Sequence, residues 1–177
     1  MNNKAIKEVI DVIDKYSEVY GAFEGIQKRD KQVLLPEFGD QKTGLIGEFY
    51  SRLYLLNKGF KDVKYAPQGS KYDIIVGDNN MKIQVKTANT FYSKTNTLSP
   101  IKKGWDFLYL ISLNAEFKPN GFWIQKYSKS IFKGKEHIPS AKIRDPRPEK
   151  IKCIGSKIFD FSNNLSNELN EAINKFL

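Results

Sequence analysis

The chain has 177 residues and a formal net charge of +9, from 29 Lys and Arg against 20 Asp and Glu; this length suits one folded domain, 1–177. Its 12 Phe, 9 Tyr and 2 Trp provide for a sizeable core and exclude global disorder. A single Cys153 and a single His137 exclude an internal disulfide framework, a cysteine zinc cluster and a His-rich metal site, while the positive balance favours a polyanionic partner, nucleic acid first.

The N-terminus leads into a charged amphipathic segment without a signal peptide's apolar core, and no run approaches transmembrane length. A cytoplasmic protein with no membrane partner is expected. Residues 4–20 read as a helix, with Ile6, Val9, Ile10, Ile13 and Tyr16 on one face and Lys7, Glu8, Asp11, Asp14 and Lys15 on the other. Gly21 is expected to end it. The helix serves core packing or, alternatively, a dimer contact. Gly21, Gly25, Pro36 and Gly39 break residues 21–42, where Lys28, Arg29 and Lys31 either touch phosphates or lie in a solvated loop.

Thr43 to Leu56 reads as a second helix, capped by Thr43 and ended by Asn57-Lys58-Gly59, with Leu45, Ile46, Phe49, Leu53 and Leu56 as its apolar stripe. Glu48 lies inside it and can pair with Arg52 at i, i+4. A short strand is expected over Asp62–Ala66. The polar loop Pro67-Gln68-Gly69-Ser70-Lys71 follows, a plain connection or a place where Gln68, Ser70 and Lys71 touch a bound strand.

Lys71 to Thr87 carries the chemistry. Two apolar runs, Tyr72–Val76 and Met81–Thr87, flank the turn cluster Gly77-Asp78-Asn79-Asn80, a β-hairpin signature. Gln84 and Lys86 share a face because side chains repeat every second residue. A loop at Asp78-Asn79 pairs Gly77 with Asn80 and sets Asp73 opposite Gln84. A loop at Asn79-Asn80 sets Asp73 opposite Lys86. A three-residue loop would set it opposite Val85 and break the cluster unless a bulge restored it. Either even-length loop gathers a carboxylate, an amide and an ammonium; the alternative is a surface hairpin with Asp–Lys cross-strand pairs.

Asn89 to Gly104 is polar, with Lys94, Lys102 and Lys103, and reads as a long loop that lies over DNA or is disordered without it. Trp105–Leu113 is a near-continuous apolar run, expected as a central strand buried on both faces, with Gly121–Tyr127 pairing beside it. Asp106 at the strand's start is a surface acid or a support for the site. Residues 118–157 hold 11 Lys and Arg against 3 acids. This segment reads as a DNA-facing surface of loops around a short helix, with Arg144 and Arg147 as candidates for base reading. Cys153 is expected buried in a strand within Ile151–Phe161. Ser162 starts a last helix lined by Leu165, Leu169, Ile173 and Phe176. The order of elements describes an α/β fold, a mixed central β-sheet flanked by helices.

An acid on one strand followed by Gln84-Val85-Lys86 on the next resembles the PD-(D/E)xK nuclease superfamily, the restriction-endonuclease-like fold, over about residues 43–127. Tyr72 stands where the family has proline, and Gln84 where it has Asp or Glu, as some of its groups do. The resemblance implies a phosphodiester hydrolase with catalytic residues Glu48, Asp73, Gln84 and Lys86. Asp73, Glu48, the Gln84 amide oxygen and the Val85 carbonyl would bind Mg²⁺, with Mn²⁺ as substitute. An amide in place of a carboxylate removes one negative charge, so weaker Mg²⁺ binding is expected. Lys86 would orient or help deprotonate the attacking water, or stabilise charge on the phosphate. Lys71, Lys102, Lys103, Gln68, Ser70, Arg144 and Arg147 would contact DNA. The expected function is a type II restriction endonuclease acting as a homodimer on double-stranded DNA. The alternatives are a homing or junction-resolving endonuclease, an RNA nuclease, and a non-catalytic DNA-binding protein with a degenerate nuclease fold.

Overall fold

A computed structural model describes residues 3–29, 41–91, 97–139, 141–142 and 163–177. The helices α1 (Asn3–Arg29) and α2 (Gln41–Asn57) precede the strands β1 (Val63–Tyr65), β2 (Ile74–Val76) and β3 (Met81–Asn89). Two-residue strands β4 (Thr97–Leu98) and β5 (Ile101–Lys102) lead to β6 (Phe107–Leu113) and β7 (Pro119–Lys126). The short helix α3 (Lys129–Phe132), strands β8 (His137–Ile138) and β9 (Ala141–Lys142), and helix α4 (Ser166–Asn174) follow.

Five strands form one mixed sheet in the order β1-β2-β3-β6-β7. Only the β3–β6 pairing within it is parallel. The apolar run of β6 lies between β3 and β7 and is buried on both faces, as its sequence requires. On one face Ile83, Val85, Tyr109, Ile111 and Phe122 form a core with Ile46, Tyr50 and Leu53 of α2 and Leu169 and Ile173 of α4. On the other face Ala88, Leu108, Leu110 and Trp123 meet Leu98, Ile101, Trp105, Phe132 and Ile138 from the small elements. Alternation along β3 therefore fixes where its polar residues point. Ile83 and Val85 face the helices, whereas Gln84 and Lys86 share the face of Leu108 and Leu110, their register partners on β6.

Several local expectations change. α1 does not stop at Gly21 but runs to Arg29. A helix-interior glycine costs only about 1 kcal/mol, and Tyr16 and Tyr20, both ahead of Gly21, pack edge-on against Phe117, at 5.2 and 5.7 Å. Thr43 does not cap α2; the helix begins at Gln41 and Thr43 is buried within its first turn. Leu45 and Val9, expected inside, are exposed. Gly59 ends α2 as expected: with φ at 91°, it lets Phe60 N–H reach the Leu55 carbonyl. The stretch expected as one long polar loop holds β4 and β5, which pair antiparallel with β9 and β8. Their inward residues, Leu98, Ile101 and Ile138, bury against the second core, which is what orders them. Lys31, Lys94, Arg144, Arg147, Cys153, Ser162 and the strand expected within 151–161 lie outside the described residues, as do the side chains of Lys28 and Arg29.

Candidate active site

The hairpin β2–β3 closes as the Asp78-Asn79 alternative requires: Val76 faces Met81, Ile75 faces Lys82 and Ile74 faces Ile83. Gly77, at φ 67°, and Asn80, at φ 49°, take the left-handed conformations of the turn. Asp73 is the first residue past the paired segment, and the ladder becomes irregular there. Its N–H donates to the Ile83 carbonyl at 2.8 Å, although the register assigns Ile83 to Ile74. The Asp73 carboxylate then takes the place of a backbone acceptor: its Oδ2 receives the Val85 N–H at 2.6 Å. A strand residue directs its N–H and C=O to the same edge. Val85 therefore turns its carbonyl toward the edge that Asp73 occupies.

Gln84 is only 5 % exposed. Its Nε2 donates to the Lys71 carbonyl at 2.9 Å, which fixes the amide's orientation. Its Oε1 is buried and has no hydrogen-bond partner. A buried amide oxygen without a donor costs roughly 1–3 kcal/mol, a cost that a bound cation or a buried water relieves. Lys86, half-buried, donates from Nζ to Ser99 Oγ at 2.8 Å in the turn between β4 and β5.

Glu48 comes to the same place from α2. Burial, with the negative charge of Asp73 adding to it and Lys86 opposing, pushes its carboxyl up to about 7 from the usual 4.5. Burial likewise raises Asp73, against the Val85 N–H and Lys86. Burial lowers Lys86, and Lys102 adds to this while Asp73 and Glu48 oppose it. Glu48 thus feels both Asp73 and Lys86, so the helix acid joins the hairpin cluster. The alternative partner is engaged elsewhere: Arg52 Nε donates to the Val63 carbonyl at 3.2 Å and its guanidinium lies over the Tyr65 ring.

α2 can deliver Glu48 because Gly47 has no side chain. A Cβ there would collide with the Thr87 side chain of β3. The helix lies against the strand at the residue beside Glu48, one position beyond Lys86. Gln84, Asp73, Lys86, Val85 and Glu48 are therefore brought together. Gln68, Ser70 and Lys71 lie in an exposed loop turned by Gly69 at φ 85°, with Lys71 contributing its carbonyl to Gln84. Lys102 and Lys103 line an open cleft beside the cluster. Asp106 is exposed and accepts the Lys82 N–H at 2.8 Å, a brace for the start of β3 rather than a member of the cluster.

The donors present suit a hard divalent cation: two carboxylates, a buried amide oxygen lacking a donor and a strand carbonyl, all oxygen. Among the described residues no three His, Cys, Asp or Glu side chains gather into a metal cluster, so an ion here depends on the amide and the carbonyl. No protein-family model and no curated protein matches the sequence. Among solved structures the chain is similar to a bacterial homing endonuclease. The two share 18% identity at a TM-score of 0.38, over 78% of this chain and 97% of the other. Among the described residues no helix is long and apolar enough to cross a membrane.

Sequence reasoning did not single out Ser99, Gly47 or Glu136, which respectively hold Lys86, admit α2 to the sheet and bond Lys103. Gly47, immediately before an acid in a helix, was the one with a readable signal, because an interior glycine marks close approach.

Proposed function

We propose that this protein is a Mg²⁺-dependent endodeoxyribonuclease, a type II restriction endonuclease that cuts double-stranded DNA at a specific site as a homodimer. The observation that carries the reading is the unbonded Gln84 Oε1, buried on the hairpin that also bears Asp73 and Lys86. Asp73, Glu48, Gln84 Oε1 and the Val85 carbonyl would hold the ion, with Mn²⁺ as a substitute. Bound there, the ion would relieve charge on the phosphate oxygens and on the leaving alkoxide.

The chain's own groups do the rest. Asp73 is anchored by the Val85 N–H, so one carboxylate oxygen is fixed and the other stays available. Lys86 Nζ, steered by Ser99 and eased toward its neutral form by burial, orients the attacking water or takes a proton from it. One site per chain cuts one strand, so a double-strand cut calls for two chains.

Incubating plasmid with Mg²⁺ or Mn²⁺ beside Asp73→Ala and Lys86→Ala tests this; cutting by the wild type and loss in both variants is the expected result. A second reading, a non-catalytic DNA-binding protein, is favoured by the amide at Gln84. It prevails if all three proteins bind DNA alike and none cuts. Mapping breaks on a long DNA then ranks the nucleases. Cutting at one short palindrome supports restriction, one long site supports homing, and branched DNA cut regardless of sequence supports junction resolution.

A further inference from the structure

An open cleft of about 300 Å³ adjoins the cluster, lined by Lys71, Pro100, Lys102, Lys103, Glu136 and His137. Two backbone connections make it continuous with the candidate active site. Lys71 gives its carbonyl to Gln84, while its side chain lies along Gly104 at the cleft. Pro100 in the wall follows Ser99, which holds Lys86. The floor is stiff: β5 pairs with β8, setting Lys102 opposite His137, and Ile101 and Ile138 bury beneath them.

Three lysines, Lys71, Lys102 and Lys103, line the cleft with one carboxylate, Glu136. Glu136, 86% exposed at its side chain, bonds Lys103 Nζ at 2.8 Å. Lys103 also lies over the Phe132 ring, 5.7 Å from its centroid, which keeps it in place. Lys103 first, then the more distant charges of Lys71 and His137, hold the Glu136 carboxyl below its usual range. No acidic side chain bonds Lys71 or Lys102 in the contacts among the described residues.

We propose that this cleft is a second phosphate site, which takes a backbone phosphate of the DNA strand beside the one at Lys86, and that Glu136 occupies Lys103 in the free protein as a stand-in anion that the phosphate displaces. This rests on the nuclease reading for the identity of the strand. The geometry suits the role, since an exposed carboxylate on a flexible stem leaves at little cost, as surface ion pairs are weak. Glu136 would then discriminate against weakly held anions and lower affinity for bulk DNA.

The test is binding of a labelled duplex to the full chain in EDTA, by anisotropy, across 50–200 mM salt, so that no cutting is required. Each added cation at a phosphate steepens the dependence of log K on log salt by about 0.9. Glu136→Gln should tighten binding, with a gain about threefold larger at 50 mM than at 200 mM. Lys102→Ala should weaken binding and flatten the slope by about the same amount. Lys175→Ala, whose ammonium bonds Asn57 at 2.9 Å away from the cleft, should change little. Wild type that binds no duplex, Glu136→Gln that binds no tighter, or Lys102→Ala that matches Lys175→Ala would each overturn the cleft. The nuclease reading fails separately, if Asp73→Ala cuts as well as the wild type.

Discussion

Glu48→Gln should stabilise the metal-free protein while abolishing cutting. The carboxyl sits at about 7 in the folded chain against 4.5 in the unfolded one. Between those values the folded state holds more protons than the unfolded state, so stability falls as pH rises through the window and the loss is complete above it. At about 1.4 kcal/mol for each tenfold change in proton affinity, that upward shift of Glu48 sets a ceiling of roughly 3 kcal/mol. Glu48 is only partly buried, and solvent screening reduces this to about 1–2 kcal/mol. The variant carries the same hydrogen-bonding shape without the charge, so in EDTA it should exceed the wild type by that amount at pH 8 and by nothing at pH 4.5. Urea unfolding at the two pH values measures the difference directly. Asp73 is raised in the same direction, and because its charge is one cause of the Glu48 rise the two titrate as a pair, so the variant relieves part of the cost at Asp73 as well. Added Mg²⁺ should stabilise the wild type more than the variant. A variant no more stable at pH 8, or equally more stable at both pH values, would refute the burial of Glu48 in the cluster.

Three further substitutions probe the neighbours. Gly47→Ala forces a methyl into the Thr87 side chain and should cost about 1–3 kcal/mol, with activity falling more than stability because Glu48 moves; melting curves beside cutting rates check this. Ser99→Ala frees Lys86 Nζ from the Ser99 hydroxyl and should slow cutting about tenfold while leaving duplex affinity in EDTA unchanged. Gln84→Glu removes the donor to the Lys71 carbonyl and should destabilise the EDTA-treated protein by about 1–3 kcal/mol, yet gain more from added Mg²⁺ than the wild type, as thermal shifts against metal concentration would show.

The parts of the fold that were legible in the sequence are those where one periodicity spans a whole element. The run ending in Leu113 could only be a strand covered on both sides, and the hairpin announced itself through Gly77-Asp78-Asn79-Asn80 between apolar runs. The grouping of Asp73, Gln84 and Lys86 was legible for the same reason, since a two-residue period and a turn of even length leave little freedom. What the sequence hid depends on tertiary contact. β4, β5, β8 and β9 are two residues each, too short for any period, and exist because Leu98, Ile101 and Ile138 have a second core to enter. The seating of α1 through Tyr16 and Tyr20 on Phe117, nearly a hundred residues away, is likewise a contact that no local period announces.

The amide at Gln84 looked like a loss when only the missing charge was counted. The hydrogen bond to Lys71 changes that balance. A carboxylate at this position has no proton to give the Lys71 carbonyl, and the loop carrying Gln68, Ser70 and Lys71 would lose the tether that joins it to β3. The amide instead bonds the loop through Nε2, which leaves Oε1 buried and unbonded in a single fixed orientation. It also spares the site a third carboxylate beside two that burial already raises. On the proposed reading, Gln84 would give up metal affinity for a rigid link between the cluster and the cleft that Lys71 lines. A phosphate seated at Lys71, as proposed, would act on the same residue whose backbone carbonyl holds the Gln84 amide, linking strand binding to the cluster.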